Sequence, residues 1–222
     1  MYTIKDMPER VPRADLDLLA GVETATVGHW RLMGFMDRAI QPLLSGRRVV
    51  GTAVTLAIAG PDSTLLHHAT GLLRAGDILV VDRLGDDKYA CWGGGVTVAA
   101  KASGAVAGIV DGPCTDLTEI QESDFPMWSR GLSPITTRLY DLGGGMNIPV
   151  SCGGAVVMPG DAILADESGV MVIPRNEVRL VAEEALRRQQ SGKEREARVR
   201  NNEGKLGELT GASAKVLARR LG

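Results

Sequence analysis

Short apolar runs alternate with helix-like segments through the middle of this chain. Ile78–Val81 and Ala105–Val110 are continuous apolar runs rich in Val and Ile, which is typical of buried strands. Residues 95–103 lie between them with a helical pattern, and a short helix is predicted over residues 116–122. Strands and helices that alternate in this way predict a layered, mixed α/β fold.

The flanks of this central region predict further elements. Residues 13–44 have an amphipathic helical pattern with a break near Gly28, and residues 49–58 predict a strand. A turn at residues 60–63 precedes a predicted helix that runs to about Leu73, with Asp62 or Ser63 as its cap. Asp166–Gly169 is a predicted hairpin turn between strands 163–165 and 170–173.

The C-terminal region predicts a charged helix over residues 175–200 and a shorter one over residues 205–221. Residues 175–222 contain 12 Lys and Arg against 7 Glu, so a basic tail follows an acidic body. The two regions could attract each other between subunits, or the tail could be a solvated helical face. Because the tail is poorly amphipathic for a monomer, we expect it to pack on a neighbouring subunit.

Composition excludes several classes of protein. A length of 222 residues suits one domain with a substantial core, and a net charge of -2 argues against a nucleic-acid binder. The three cysteines have no C-x-x-C spacing, which favours a reducing cytosol over a disulfide framework or a zinc site. No signal peptide or membrane-spanning run is visible. We therefore expect a cytoplasmic protein that binds neither membranes nor nucleic acids.

The segment from Trp92 to Asp116 carries the candidate chemistry. Gly93, Gly94 and Gly95 offer unshielded backbone N–H groups to an anion. The turn Asp111–Asp116 follows a predicted buried strand and presents carboxylates, the hard oxygen ligands that Mg²⁺ and Mn²⁺ prefer. The pattern therefore predicts a metal-assisted site for a small anionic metabolite.

Each of these residues also has a structural interpretation. Asp116 or Thr115 could cap the helix that follows, and the glycines could serve close helix–strand packing. We expect Asp111 to bond the turn, and Gly112 to adopt a positive φ or to leave room for a ligand. Cys114 has no adjacent base in the sequence, so a nucleophilic thiol is not expected.

An ordered series of motifs over roughly residues 20–175 resembles the RraA-like family. The motifs are Gly60–Ser63, His67–Ala69, Gly76–Asp82, Trp92–Gly94, Gly108–Gly112, Asp116, Phe125–Gly131, Asn147–Val150 and Pro159–Asp161. This family includes 4-hydroxy-4-methyl-2-oxoglutarate / 4-carboxy-4-hydroxy-2-oxoadipate aldolases and RraA, a protein regulator of RNase E. The resemblance implies a swivelling β/β/α sandwich with helical extensions at both ends, here one domain over residues 1–222. It also implies a homotrimer or a hexamer.

The resemblance also implies roles for individual residues. Asp116 matches the aldolase metal ligand for Mg²⁺ or Mn²⁺, and Gly93, Gly94 and Gly95 match the amides that hold the substrate carboxylate. Thr115 stands at the position of the catalytic, substrate-binding Arg, and Gly94 at a position where many aldolases carry an acidic residue. Arg83, Lys88 and Arg130 are candidates for the missing positive charge.

These matches and departures leave two hypotheses. Retention of Asp116 favours a metal-dependent lyase that cleaves a small hydroxy- or oxo-acid by retro-aldol reaction or decarboxylation, in a variant form because of Thr115. The alternative is a non-catalytic, RraA-type regulator or protein-interaction module.

Overall fold

A computed structural model describes residues 1–220 of the chain. Its strands are, in chain order, β1 Tyr2–Ile4, β2 Gln41–Pro42, β3 Val49–Ala57, β4 Asp77–Asp82, β5 Ala107–Val110, β6 Met127–Ser129, β7 Gly144–Met146, β8 Val150–Cys152, β9 Ala155–Val157, β10 Ala162–Asp166 and β11 Gly169–Ile173. Its α-helices are α1 Arg13–Leu19, α2 Thr24–Gly28, α3 Thr64–Thr70, α4 Gly94–Ala102, α5 Leu117–Glu122, α6 Val178–Arg200, α7 Leu206–Leu209 and α8 Ala212–Leu217.

A nine-stranded sheet is built around β3 and β4. Strands β3, β4, β5 and β6 are parallel neighbours. On its other edge, β3 pairs antiparallel with β10 through its first residues and with β7 through its last two. Strands β8 and β9 form a separate antiparallel pair. The predicted strands at residues 49–58, 78–81 and 105–110 are therefore confirmed, with shifts of one or two residues at their ends.

The alternating side chains of β4 face two different cores. Leu79 and Val81 pack in one cluster with residues of α3, α4 and α5. Ile78 and Val80 pack in a second cluster with residues of β8, β9, β10 and β11. A third cluster joins the remaining face of β10 and β11 to α1, α2 and α6. This layering confirms the predicted α/β sandwich with helical extensions at both ends.

The predicted helix over residues 13–44 is correct only in its first part, where α1 and α2 lie. Beyond α2 the chain runs beside β11, where the Met36 N–H donates to the Val170 carbonyl at 3.0 Å. The Val172 N–H donates in turn to the Gly34 carbonyl at 2.7 Å. Pairing with β11 therefore satisfies backbone groups that a helix would have used internally.

The C-terminal helices differ in part from the prediction. Val178, Val181, Ala182 and Ala185 bury the first half of α6 against the body of the same chain. From Gln190 onward the side chains of α6 are exposed, apart from the half-buried Gly192. The single helix predicted over residues 205–221 is wrong, since α7 and α8 are separate, and residue 221 lies outside the described residues. Packing of this outer part on a neighbouring subunit stays a prediction.

Within residues 1–220, no helix combines the length and the apolar character that crossing a membrane requires.

Asp166 fastens α2 to the hairpin of β10 and β11, which the sequence predicted correctly. Its buried carboxylate accepts hydrogen bonds from the Thr24 N–H at 2.9 Å and the Thr24 hydroxyl at 2.7 Å. The Ser168 N–H donates to the same carboxylate at 2.9 Å. This buried carboxylate therefore adds a polar attachment of α2 to the hairpin, beside the apolar packing of the third cluster.

Replacing Thr24 with Val should lower the free energy of unfolding by roughly 1.5–3 kcal/mol, because a buried carboxylate loses a charge-assisted hydrogen bond. Thr24→Ser keeps the hydroxyl and loses only a methyl group, so it should cost no more than about 1 kcal/mol. Urea unfolding of the three proteins measures both values. Equal losses in the two variants would contradict this role of the hydroxyl.

Candidate functional site

The turn after β5 is held between two extended segments. The Thr115 N–H donates to the Trp92 carbonyl at 2.9 Å on one side. On the other side the Cys114 N–H donates to the Gly131 carbonyl, and the Ser133 N–H to the Cys114 carbonyl, both at 2.9 Å. These bonds bring Asp116 beside the N-terminus of α4.

Asp116 has a backbone conformation that is uncommon for a residue other than glycine. It occupies the N-cap position of α5 in the left-handed region, with φ 54° and ψ 44°. An N-cap residue that bonds its own helix ordinarily has an extended backbone, and no side chain caps α5 by a hydrogen bond. The structural interpretation is therefore correct for the position of Asp116, but neither its side chain nor that of Thr115 caps the helix by a hydrogen bond. Strained backbone of this kind is often found at functional sites.

The Asp116 carboxylate reaches a different helix instead. Its Oδ2 accepts a hydrogen bond from the Gly94 N–H at 3.0 Å, and its Oδ1 accepts one from the Thr115 hydroxyl at 3.2 Å. The structure thus brings together Asp116, Thr115, Gly93 and Gly94, which the sequence singled out separately. A ligand carboxylate would compete with Asp116 for the Gly94 amide. The binding roles of Gly93, Gly94 and Gly95 remain predictions.

The space above the first two glycines is filled by carboxylates. A Cβ atom at Gly93 would lie 2.3 Å from Asp116 Oδ2, and one at Gly94 would lie 1.6 Å from Glu119 Oε2. No atom lies within 4 Å of the corresponding position at Gly95, whose surface is open. The Asp116 and Glu119 side chains therefore lie where side chains at positions 93 and 94 would lie, which accounts for glycine at these two positions.

Glu119 was not predicted from the sequence as a residue of the site. Residues three apart on a helix share a face, so a carboxylate at position 119 follows Asp116 in a pattern that was available in the sequence. The position of its carboxylate above Gly94 could not be found this way, because it depends on how α4 and α5 pack.

A buried hydrogen-bonded chain fixes the start of α4. The Trp92 indole N–H donates to the Thr97 hydroxyl at 2.9 Å, and that hydroxyl donates to the Gly93 carbonyl at 2.9 Å. The Trp92 ring is fully buried and stacks on Phe125 at a centroid distance of 6.1 Å. The glycine segment is therefore held rigidly on one side and open to the Asp116 carboxylate on the other.

The other residues of the turn have roles that differ from the predictions. Asp111 does not bond its own turn: its carboxylate accepts a hydrogen bond from the Gly153 N–H at 2.7 Å and pairs with Arg130. Gly112 does not have a positive φ. Its missing side chain makes room for Arg83, whose Cγ would lie 2.8 Å from a Cβ there. A ligand therefore does not use that space.

The candidate cations are engaged elsewhere. Arg83 is fully buried and donates to the Gly60 and Tyr89 carbonyls and to the Asp86 carboxylate. The Arg130 guanidinium pairs with Asp111, and the Lys88 ammonium lies over the Tyr89 ring. None of these contacts involves Thr115.

Thiol chemistry is not available at neutral pH. Burial raises the pKa of the Cys114 thiol far above its usual value, and it raises the pKa of Cys91 to about 11. Both side chains therefore stay protonated, in agreement with the expectation for Cys114.

An open cavity of about 280 Å³ lies beside the Asp116 carboxylate and is lined by Thr115, Asp116 and residues 132–134. A larger cavity of about 510 Å³ lies between α2 and α6 and is lined by side chains of both charges. We place the candidate site at the smaller cavity, because it alone of the two is lined by Asp116 and Thr115.

The residues present fit a hard divalent cation. Asp116 provides carboxylate oxygens beside the N-terminus of α4, and Mg²⁺ binds readily through one or two carboxylates while it keeps several waters. In residues 1–220 no group of three or more His, Cys, Asp or Glu side chains is arranged around one point. The site therefore suits a partly hydrated Mg²⁺ or Mn²⁺ rather than a fully protein-ligated zinc.

One wall of the cavity belongs to residues 130–142, which we call the rim segment. Asp62 anchors its far end, since its carboxylate accepts hydrogen bonds from the Tyr140 N–H at 3.0 Å and the Leu142 N–H at 2.9 Å. The Thr64 N–H and hydroxyl donate to the same carboxylate, so Asp62 also serves the first turn of α3, as predicted. Burial opposes the charge of Asp62, but these hydrogen bonds outweigh it and lower the pKa to about 2.

The lowered pKa of Asp62 predicts a loss of stability in acid. A group whose pKa is lower in the folded state stabilises it above the unfolded pKa, and this contribution disappears as the pH falls from about 4 to about 2. Over this range the wild type should lose on the order of 1–2 kcal/mol more than Asp62→Asn. Urea unfolding as a function of pH measures the difference. The exposed control Asp87→Asn should follow the wild type, and parallel profiles for all three proteins would contradict the assignment.

Comparison with known proteins agrees with this fold. The family described as RraA-like, Aldolase/RraA, matches residues 24–172. A protein of Halalkalibacterium halodurans named "Putative 4-hydroxy-4-methyl-2-oxoglutarate aldolase" is 33% identical over 167 residues, which are 75% of this chain and 79% of that protein.

The solved structures with a similar fold include two RraA proteins. Streptomyces coelicolor RraAS2, described as an unusual member of the RNase ES inhibitor RraA protein family, has a TM-score of 0.75 at 25% identity, over 84% of this chain and 97% of that one. The RNA-processing inhibitor RraA from Thermus thermophilis has a TM-score of 0.58 at 26% identity, over 76% and 94%. The chain belongs to the RraA-like family.

Proposed function

We propose that this protein is a Mg²⁺- or Mn²⁺-dependent lyase that cleaves a carbon–carbon bond of a small hydroxy- or oxo-acid. The observation that carries the proposal is the left-handed Asp116, which holds its carboxylate at the N-terminus of α4 and away from its own helix. The name of the Halalkalibacterium relative supports an aldolase reaction. Retro-aldol cleavage and decarboxylation both belong to the proposal.

Each residue of the site has a task in this reaction. When bound, the cation would polarise the substrate carbonyl. Asp116 would hold the cation. The free N–H groups of the first turn of α4 would bind the substrate carboxylate, because a helix N-terminus carries partial positive charge.

Thr115 determines how the reaction differs from that of the aldolases. Its hydroxyl gives one neutral hydrogen bond, whereas an Arg gives a charged and often bidentate one. The Thr115 hydroxyl is moreover engaged with Asp116 Oδ1 at 3.2 Å. We therefore propose a substrate that carries less negative charge beside Thr115 than the aldolase substrates do.

The proposal includes assembly into a homotrimer or a hexamer. Asp116 is exposed in the single chain, and a reaction of this kind works best where water is excluded. The rim segment next to it exposes apolar side chains that a neighbouring subunit would cover, namely Leu132, Ile135, Leu139, Tyr140 and Leu142. These features support an active site completed between subunits.

The proposal predicts metal-dependent turnover that requires Asp116. Cleavage of oxaloacetate or a 4-hydroxy-2-oxo acid should depend on added Mn²⁺ or Mg²⁺ and stop with EDTA. Asp116→Asn keeps the size of the side chain but removes its charge, and it should lower kcat/KM by on the order of 100-fold or more. Asp87→Asn serves as the matched control at an exposed position. Turnover that resists EDTA, or none across this set of acids, would refute the proposed lyase.

A Thr115→Arg variant tests the proposed difference in substrate charge. If the rest of the site works as in the aldolases, the new guanidinium should raise kcat/KM for 4-hydroxy-4-methyl-2-oxoglutarate by roughly 10–100-fold. Thr115→Val removes the hydroxyl without adding charge and should give no such gain. Steady-state kinetics measures kcat/KM of both variants, and equal values for Thr115→Arg and Thr115→Val would contradict the role assigned to position 115.

A protein-interaction role is the second candidate. One solved relative is described as an unusual member of the RNase ES inhibitor RraA protein family, and another as an RNA-processing inhibitor. The exposed apolar rim segment offers a surface for a protein. Strong Mn²⁺ binding that is lost in Asp116→Asn would favour the lyase, since an interaction surface does not require it.

A further inference from the structure

Glu119 lies where a side chain at position 94 would lie. A Cβ atom at Gly94 would be 1.6 Å from Glu119 Oε2, 2.7 Å from its Cδ and 3.0 Å from its Cβ. The Glu119 carboxylate thus lies in the volume that a larger residue at position 94 would enter, and because Glu119 is an exposed, flexible side chain, such a residue would displace the carboxylate. Gly94 is itself buried at the first position of α4, so its backbone has little freedom to move away.

Glu119 does not perform the usual task of a Glu at this position of a helix. With Asp116 as the N-cap, Glu119 is the third residue of α5, from which a Glu commonly bonds back to the N-cap backbone N–H. No side-chain hydrogen bond caps α5. The side chain is directed toward α4 instead.

Two carboxylates therefore meet at the first turn of one helix. Asp116 Oδ2 lies above Gly93 and Glu119 Oε2 lies above the adjacent Gly94. Like charges three residues apart on a helix destabilise each other, and in the described part of the chain neither carboxylate forms a salt bridge with Lys, Arg or His. Both side chains are exposed, so water and the partial positive charge at the N-terminus of α4 screen this repulsion, and a bound cation would remove it.

We propose that Glu119 is the second carboxylate of the metal site, and that position 94 is glycine so that this carboxylate can enter. A divalent cation supplies the positive charge that the two side chains lack. The inference rests on the proposed metal-dependent function. It adds Glu119 of α5 to the metal site, and it requires a residue without a side chain at position 94 of α4.

The test is a titration of the full-length protein with Mn²⁺, in which electron paramagnetic resonance measures the free ion. Glu119→Gln keeps the size of the side chain and removes its charge, and it should weaken Mn²⁺ binding by roughly 10–100-fold. Gly94→Ala displaces the Glu119 carboxylate and should weaken binding to a similar extent. Glu122→Gln, an exposed position on the same helix, and Gly192→Ala, with open space around it, should bind as the wild type.

The outcomes separate this inference from the proposed function. A wild type that does not bind Mn²⁺, or an Asp116→Asn variant that binds it equally well, would overturn both. Binding that is lost in Asp116→Asn but unchanged in Glu119→Gln would overturn only the role of Glu119. If Asp116→Asn and Glu119→Gln weaken binding but Gly94→Ala does not, the role of the Glu119 carboxylate stands and the requirement for glycine at position 94 falls. Urea unfolding without metal verifies that the variants remain folded.

Discussion

The hydrogen bond from the Gly94 amide to the Asp116 carboxylate joins two parts of the chain that a strand and a helix separate. It exists only because Asp116 has a left-handed backbone, which turns the carboxylate away from α5 and toward α4. The rest of the site is arranged around this bond. Trp92 and Thr97 fix the start of α4 from beneath, and the rim segment holds the turn from the other side.

The central elements could be predicted because their signals are local. The apolar runs of β3, β4 and β5 are buried on both faces, and such strands have a continuous apolar sequence. Residues 29–44 show where this reasoning fails. Leu32 and Met33 lie within the predicted amphipathic helix, yet they are 90% and 76% exposed. Pairing of residues 34–36 with β11, more than 130 positions away, decides the structure there, and no local pattern contains that partner.

The site could be located from the sequence, but its geometry could not. Asp116 and the glycines were identified together, and the structure places them in contact through Gly94. The sequence also showed that position 94 lacks the acidic residue that many aldolases have. It could not show that a carboxylate from α5 lies in that place, because the packing of α4 on α5 depends on residues spread over the whole core. The backbone dihedrals of Asp116 are likewise invisible in a list of residue types.

The contact between position 94 and residue 119 also limits how such a site can change during evolution. The Glu119 carboxylate lies where a side chain at position 94 would lie, so an acidic residue carried on α4 would displace it. Relatives with an acidic residue at the position of Gly94 should carry a short or neutral residue at the position of Glu119.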